Sequence, residues 1–308
     1  MKFLKLIRYQ NLLLIALMQL IFRYGFLKHQ DIYLFLSDGQ YLLLILSTMM
    51  IAAAGYIIND ILDQETDNEN KPERVIIGKG ISETMGYNLY FALNVIGVGI
   101  GFYLSNAIQK PTFAGIFIII VTILYLYATT LKQMILIGNL AVALLLSISI
   151  LIIGVYDLLP LTFDSNRNEM ALVFSLLMDY AIFAFVLNFI REIVKDMEDV
   201  DGDYTQGMNT LPIAIGINRT TKIVFGLGVF ATCVLLWYIN TYLMTNHLYY
   251  ATIYGLLFVV SPMIFFVVKI WNAKSKQDFH FLSTLLKFVI FFGILSTAVI
   301  TFNLKHHA

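Results

Sequence analysis

Eleven of the twenty acidic residues lie in two short stretches, Asp60 to Glu69 and Glu192 to Asp203. The first reads NDILDQETD and sets Asn59, Asp63 and Asp67 at successive steps of four. A helix continuing past Asn59 would carry all three on a face about 80° wide, with Asp60 at its edge. The second reads REIVKDMEDVDGD. There Glu192, Asp196, Asp199 and Asp203 fall within about 60° if the helix persists to Gly202. Carboxylates crowded on one face repel one another, a cost that a cation removes, and oxygen-only ligand sets suit hard ions such as Mg2+. Mg2+ keeps several waters and takes one or two carboxylates plus phosphate oxygens of a substrate, so two such faces would hold a diphosphate between them through the metal. The candidate ligand oxygens are therefore those of Asn59, Asp63 and Asp67 on the first face and of Glu192, Asp196, Asp199 and Asp203 on the second. A single DxxxD is more often a solvated helix end. Two of them, each closing an apolar helix, argue for a site.

A membrane must position these faces. The chain has 308 residues, 59% hydrophobic and 13% charged, with mean hydropathy +0.79. Soluble domains average about 45–50% apolar and roughly 25% charged residues, so this excess exceeds what one globular core hides. A ruler of about 20 apolar residues finds nine spans, near 10–28, 39–58, 84–105, 112–131, 135–156, 170–190, 222–244, 249–270 and 281–303. The period-2 alternation of a barrel is absent. The basic start (Lys2, Lys5, Arg8) resembles a signal peptide but lacks a small-residue cleavage site, which suits an uncleaved first span. The expectation is an all-α polytopic membrane protein with about nine transmembrane helices around a central cavity, residues 1–308 forming one domain. Because the acidic stretches begin roughly 130 residues apart, each after an apolar helix, the chain reads as two four-helix halves plus a ninth helix.

Basic residues orient it. With the N-terminus inside, one side collects Lys2, Lys5, Arg8, Lys71, Arg74, Lys79, Lys132, Arg191, Lys195, Arg219, Lys222, Lys269, Lys274 and Lys276; the other has Arg23, Lys28, Lys110, Arg167 and Lys305. That asymmetry places the N-terminus and the acidic mouth in the cytoplasm, in the inner (plasma) membrane. Lys71, Arg74, Lys132, Arg191 and Lys195 then share the acidic face and suit a departing diphosphate. Twenty basic residues cancel twenty acidic ones, so no global field draws nucleic acid. Cys233, the single cysteine, excludes a disulfide framework and is expected to be buried in span seven. Tyr56, one turn before Asn59, and Tyr125 and Tyr127 at the end of span four lie near the acidic mouth, each individually more often a packing or interfacial ring.

NxxxDxxxD after the second span and KDxxDxxGD after the sixth, in a nine-span chain, resemble the UbiA superfamily of intramembrane prenyltransferases. RYQN (Arg8, Asn11), KPERVIIGKGIS, LKQMILIGN and GDYTQGMNTLPIAIG extend the resemblance over essentially the whole chain. It implies Mg2+-dependent transfer of a polyprenyl group from an isoprenoid diphosphate to a lipid or aromatic acceptor, with Asn59, Asp63, Asp67, Asp196, Asp199 and Asp203 as metal ligands, Asp63, Asp67, Asp199 and Asp203 as the catalytic carboxylates, and Asn11, Asn59, Lys71, Arg74, Lys132, Arg191 and Lys195 as substrate-binding residues. The carbocation left by the departing diphosphate would need shielding, for which Tyr56, Tyr125 and Tyr127 are candidates. LKQMILIGNLAVALL and REIVKDMEDVDGDYTQGMNTLP look most like the geranylgeranylglycerol-phosphate geranylgeranyltransferase type, which implies the hydroxyl of a prenylglycerol phosphate as acceptor. An aromatic quinone, tocopherol-type or chlorophyll-type precursor is the alternative. A cation transporter is the alternative of another class, although its carboxylates would be expected near the bilayer midplane.

Overall fold

The computed structural model describes residues 2–65 and 75–306. Asp67, Lys71 and Arg74 fall outside the described residues. Among these, nine helices are long and apolar enough to cross a membrane: Tyr9–His29, Asp38–Leu62, Glu83–Ala107, Pro111–Thr129, Ile137–Leu161, Arg167–Glu198, Ile217–Met244, Tyr249–Ile270 and Lys276–His306. They are called spans one to nine below. Hydrocarbon offers no partner for backbone N–H and C=O groups, so uninterrupted apolar sequence becomes helix, which satisfies them internally. Side chains such as Val95, Leu172, Phe230, Leu257 and Val268 stand on the outer surface of the bundle, where lipid, unlike water, accepts them. Cys233 is exposed there too, contrary to the expected burial. Its face of span seven points out of the bundle.

The spans meet by close approach rather than by hydrophobic exclusion, as helices in lipid must. A Cβ at Gly101 would lie 2.3 Å from the Phe117 ring, so glycine alone lets spans three and four touch here. Spans one to six share one apolar cluster, including Phe22, Tyr41, Phe117, Ile153 and Leu177. Spans six to nine share another, around Ile190, Val224, Met263, Phe266 and Leu286. Span nine packs on span six and on the end of span one, joining the chain's last helix to its first.

Two lengths bear on the site. Span six has 32 residues, about 48 Å at 1.5 Å per residue, against a hydrocarbon core of about 30 Å. Its last turns, which carry Arg191 to Glu198, therefore project beyond the bilayer core. Span two ends at Leu62 with Asp63 as its C-cap, so hydrogen bonding within the helix stops partway through the first acidic motif.

The far end of the bundle is held by buried charge. Arg23, which the loop count assigned to a solvent-facing connection, is 2% exposed inside a π-helical turn, Ile21–Phe26. It faces Asp157 at 3.4 Å, donates to the Leu36 carbonyl and lies 4.2 Å over the Tyr41 ring. Asp157 also accepts from the Leu36 N–H at 3.0 Å. Spans one, two and five are thereby tied at that end.

Candidate active site

Asn59 and Asp63 lie one turn apart on span two, and the Asn59 amide donates to Asp63 Oδ2 at 2.7 Å. The other oxygen of Asp63 receives the Lys132 ammonium. That pair is shielded, with side chains 10% and 13% exposed. Lys132 comes from the 3-10 turn Leu131–Gln133 between spans four and five, and two features fix this turn. A Cβ at Gly138 would come within 2.8 Å of the Lys132 Cα and 2.9 Å of the Leu131 carbonyl, so the turn lies directly on the start of span five. The Gln133 carbonyl accepts from the Asn209 N–H at 3.0 Å, which ties it to the loop following the second acidic motif. Asp63, Lys132, Gln133, Gln206 and Met208 line a cavity of about 240 Å³ between the two.

The second motif is less regular than its spacing predicts. Span six ends at Glu198, Asp199 caps it, and a new helix, Val200–Thr205, carries Asp203. Accumulating carboxylates oppose the negative end of the helix dipole, which favours a break there over the continuous helix to Gly202. The backbone nevertheless keeps Asp199 and Asp203 one turn apart, the Asp203 N–H donating to the Asp199 carbonyl at 3.1 Å. Asp196 accepts from Asn139 at 2.7 Å, a buried amide on the first turn of span five. Asp196 also lies within electrostatic reach of Asp203, Glu192 and Lys195. Glu192 belongs to the acidic stripe by spacing but is occupied by cations, with Arg191 at 3.1 Å and Lys195 at 2.8 Å.

Tyr127 joins the motifs. This half-buried ring on span four lies within electrostatic reach of Glu192, Asp196 and Asp63, residues of both acidic segments. Tyr56 is also at the site: the Arg8 guanidinium lies 4.9 Å over its ring and Asn11 donates to its hydroxyl at 3.3 Å. Arg8 pairs with Asp60 at 2.9 Å from a left-handed backbone, φ 48°, a conformation that costs a non-glycine residue about 1–2 kcal/mol. Tyr125 is 47% exposed and faces outward, so it is not part of this wall.

The oxygens at this mouth suit a hard divalent ion that completes its shell elsewhere. Among the described residues no group of three His, Cys, Asp or Glu side chains forms a ready cage. Asn59 Oδ1 is buried without a hydrogen-bond partner, one turn from a carboxylate. An ion that takes one or two protein oxygens plus phosphate and water matches that set.

Lys287 is absent from the expected site. It lies in span nine and donates to Asn11 Oδ1 at 2.7 Å. The signal was available, since it is the one basic residue of twenty that the loop tally leaves on neither side. Asn139 sat within a motif recognised by resemblance, but nothing in its spacing shows that it meets Asp196.

The comparisons with known proteins agree with this geometry. The UbiA prenyltransferase family matches residues 26–297. A digeranylgeranylglyceryl phosphate synthase of Methanobrevibacter smithii is 30% identical over 269 residues, covering 87% of this chain and 89% of that one. The corresponding Saccharolobus solfataricus synthase is 34% identical over 222 residues, 72% of this chain and 71% of that one. Among solved structures, one described as concerning digeranylgeranylglyceryl phosphate synthase in membranes has a TM-score of 0.63 at 24% identity, covering 97% of both chains. A UbiA homolog from Archaeoglobus fulgidus bound to GPP and Mg2+ has a TM-score of 0.62 at 15% identity, covering 96% of this chain and 99% of that one. Nine apolar spans, two acidic motifs meeting at one end and a family match over nearly the full length lead to one conclusion: the chain belongs to the UbiA prenyltransferase family and is an integral membrane prenyltransferase.

Proposed function

We propose that the protein transfers a polyprenyl group from an isoprenoid diphosphate to the hydroxyl of a prenylglycerol phosphate, with Mg2+ between the acidic motifs. The observation that carries the chemistry is the cavity shared by Asp63 and Lys132 with Gln206 and Met208 of the segment after the second motif, closed by the Asn209 N–H bonded to the Gln133 carbonyl. The acceptor assignment is supported by relatives named digeranylgeranylglyceryl phosphate synthase. Asn59, Asp63, Asp196, Asp199 and Asp203 would hold the metal, with Asp67 the remaining candidate ligand by spacing. The metal supplies charge neutralisation for the departing diphosphate.

Lys132 adds a cation at the same place, and its ammonium exchanges Asp63 for a diphosphate oxygen as the negative charge grows. Lys195 serves the same charge from span six. In the reaction, the C1–O bond of the isoprenoid breaks with its electron pair leaving on the diphosphate. The acceptor oxygen then bonds C1, and its proton is released. Tyr127 and Tyr56 present electron-rich surfaces to the positive carbon, and the surrounding apolar spans exclude water, which would otherwise capture it. The proposed orientation places the N-terminus and this mouth on the cytoplasmic side of the plasma membrane.

The test is an assay of purified protein in lipid nanodiscs with Mg2+ and labelled geranylgeranyl diphosphate. The acceptors are geranylgeranylglycerol phosphate, 4-hydroxybenzoate, homogentisate and dihydroxynaphthoate. The expected product is the ether-linked lipid, formed with stoichiometric release of diphosphate. Prenylation of an aromatic acceptor while the glycerol phosphate is ignored would overturn the acceptor assignment.

A further inference from the structure

Arg191, Lys195 and Lys287 lie on spans six and nine, and Lys287 is within electrostatic reach of both other cations. Two of them have carboxylates: Glu192 takes Arg191 at 3.1 Å and Lys195 at 2.8 Å, and Asp196 lies within electrostatic reach of Lys195. Lys287, partly buried, bonds only the neutral Asn11 amide oxygen at 2.7 Å and has no carboxylate partner among the described residues. Arg191 Nε is buried without a hydrogen-bond partner. Placing a third cation beside two others, inside a span, is expensive unless an anion completes the group. Lys287, with cations as neighbours and no carboxylate partner among the described residues, therefore calls for a ligand carrying negative charge.

We propose that Lys287, Asn11 and Arg191 form an anion subsite for the phosphate monoester of the acceptor, separate from the site that holds the isoprenoid diphosphate. The inference rests on the acceptor reading given above. Placement distinguishes the two anions. The diphosphate belongs with Asn59, Asp63 and Lys132, on span two and the turn after span four. Lys287 and Asn11 belong to spans nine and one, and Asn11 bonds Tyr56, one turn further into span two than Asn59. A helical turn is about 5.4 Å, comparable with the separation of phosphorus and neighbouring hydroxyl in a glycerol phosphate. A phosphate held at Lys287 thus lets that hydroxyl reach toward the reacting carbon. Lys287 acts as a specificity residue here, since an acceptor without the phosphate would leave its ammonium unpaired in a shielded place.

The experiment uses full-length protein in nanodiscs, comparing wild type, Lys287→Met and Lys287→Arg with geranylgeranylglycerol phosphate and geranylgeranyl diphosphate. Lys287→Met should raise KM for the phosphorylated acceptor roughly 10- to 100-fold, while KM for the isoprenoid diphosphate changes less than about 2-fold. Lys287→Arg should recover most of the loss. In a second measurement, labelled geranylgeranylglycerol phosphate should bind wild-type protein in EDTA, and inorganic phosphate should compete with it. The dephosphorylated alcohol should bind poorly, a comparison that holds even if Lys287→Met does not fold. An unchanged acceptor KM in Lys287→Met, a selective rise in the diphosphate KM, or equal metal-free binding of the alcohol and the phosphate would overturn the subsite. Wild-type protein that turns over no phosphorylated acceptor at all would instead remove the acceptor reading on which it rests.

Discussion

Asp63 has two neighbours that compete for what it does. Asn59 orients one oxygen and Lys132 occupies the other, so the carboxylate is held in place before any substrate arrives. Replacement by Asn keeps the shape but removes the charge, and with one acceptor oxygen it can accept from only one of the two donors. Asp63→Asn and Asp199→Ala should each lower the rate of prenyl transfer at least about 100-fold, the size expected when a principal charge-stabilising group is lost. Both variants should retain wild-type elution on size exclusion; most of the activity surviving at saturating Mg2+ would remove these residues from the reaction. The step-of-four spacing made Asn59 and Asp63 legible, because a helix turns that spacing into adjacency whatever surrounds it. Partners brought together by packing were not legible. Asn139 and Asp196, at the start of span five and the end of span six, are 57 positions apart and meet through tertiary contact, and Lys287 is 276 positions from Asn11.

At the scale of elements, the nine spans followed from apolar length alone, and most bounds agree within a few residues because lipid leaves the backbone no alternative. Span six was underestimated. Its polar last turns carry the acidic motif, and hydropathy stops counting where the hydrocarbon stops although the helix continues to Glu198. The turn at Leu131–Gln133 was also hidden, since its position depends on Gly138 having no side chain. Gly138→Ala should force the turn off span five and withdraw Lys132 from Asp63. The expected result is a 10-fold or larger fall in kcat with a destabilisation of only about 1–3 kcal/mol, the usual cost of overpacking. Thermal melts in detergent set beside turnover would measure the two effects. Loss of stability with kcat intact would show that the turn does not position Lys132.

Across the whole molecule, orientation is the reading that rests on sequence alone. Single cysteines at Ser82 and Lys274 should label from the cytoplasmic side with an impermeant thiol reagent, and those at Asn106 and Asn166 from the opposite side. The outward-facing Cys233 must first become Ser. Labelling of Ser82→Cys and Asn166→Cys from the same side would contradict the nine-span topology. The two ends of the bundle also differ in kind. One gathers the acidic motifs; the other is closed by Arg23 and Asp157, 2% and 0% exposed, beneath Tyr41 and Leu36. A charged leaving group finds lipid along the sides and that plug below, so it departs through the opening by which the donor entered. Entry and exit then share one queue. Inorganic diphosphate should inhibit competitively against the isoprenoid diphosphate, and its clearance should set the pace of turnover whenever it accumulates. Steady-state kinetics with added diphosphate would show this as a rising KM at constant kcat, whereas a noncompetitive pattern would reveal a second door.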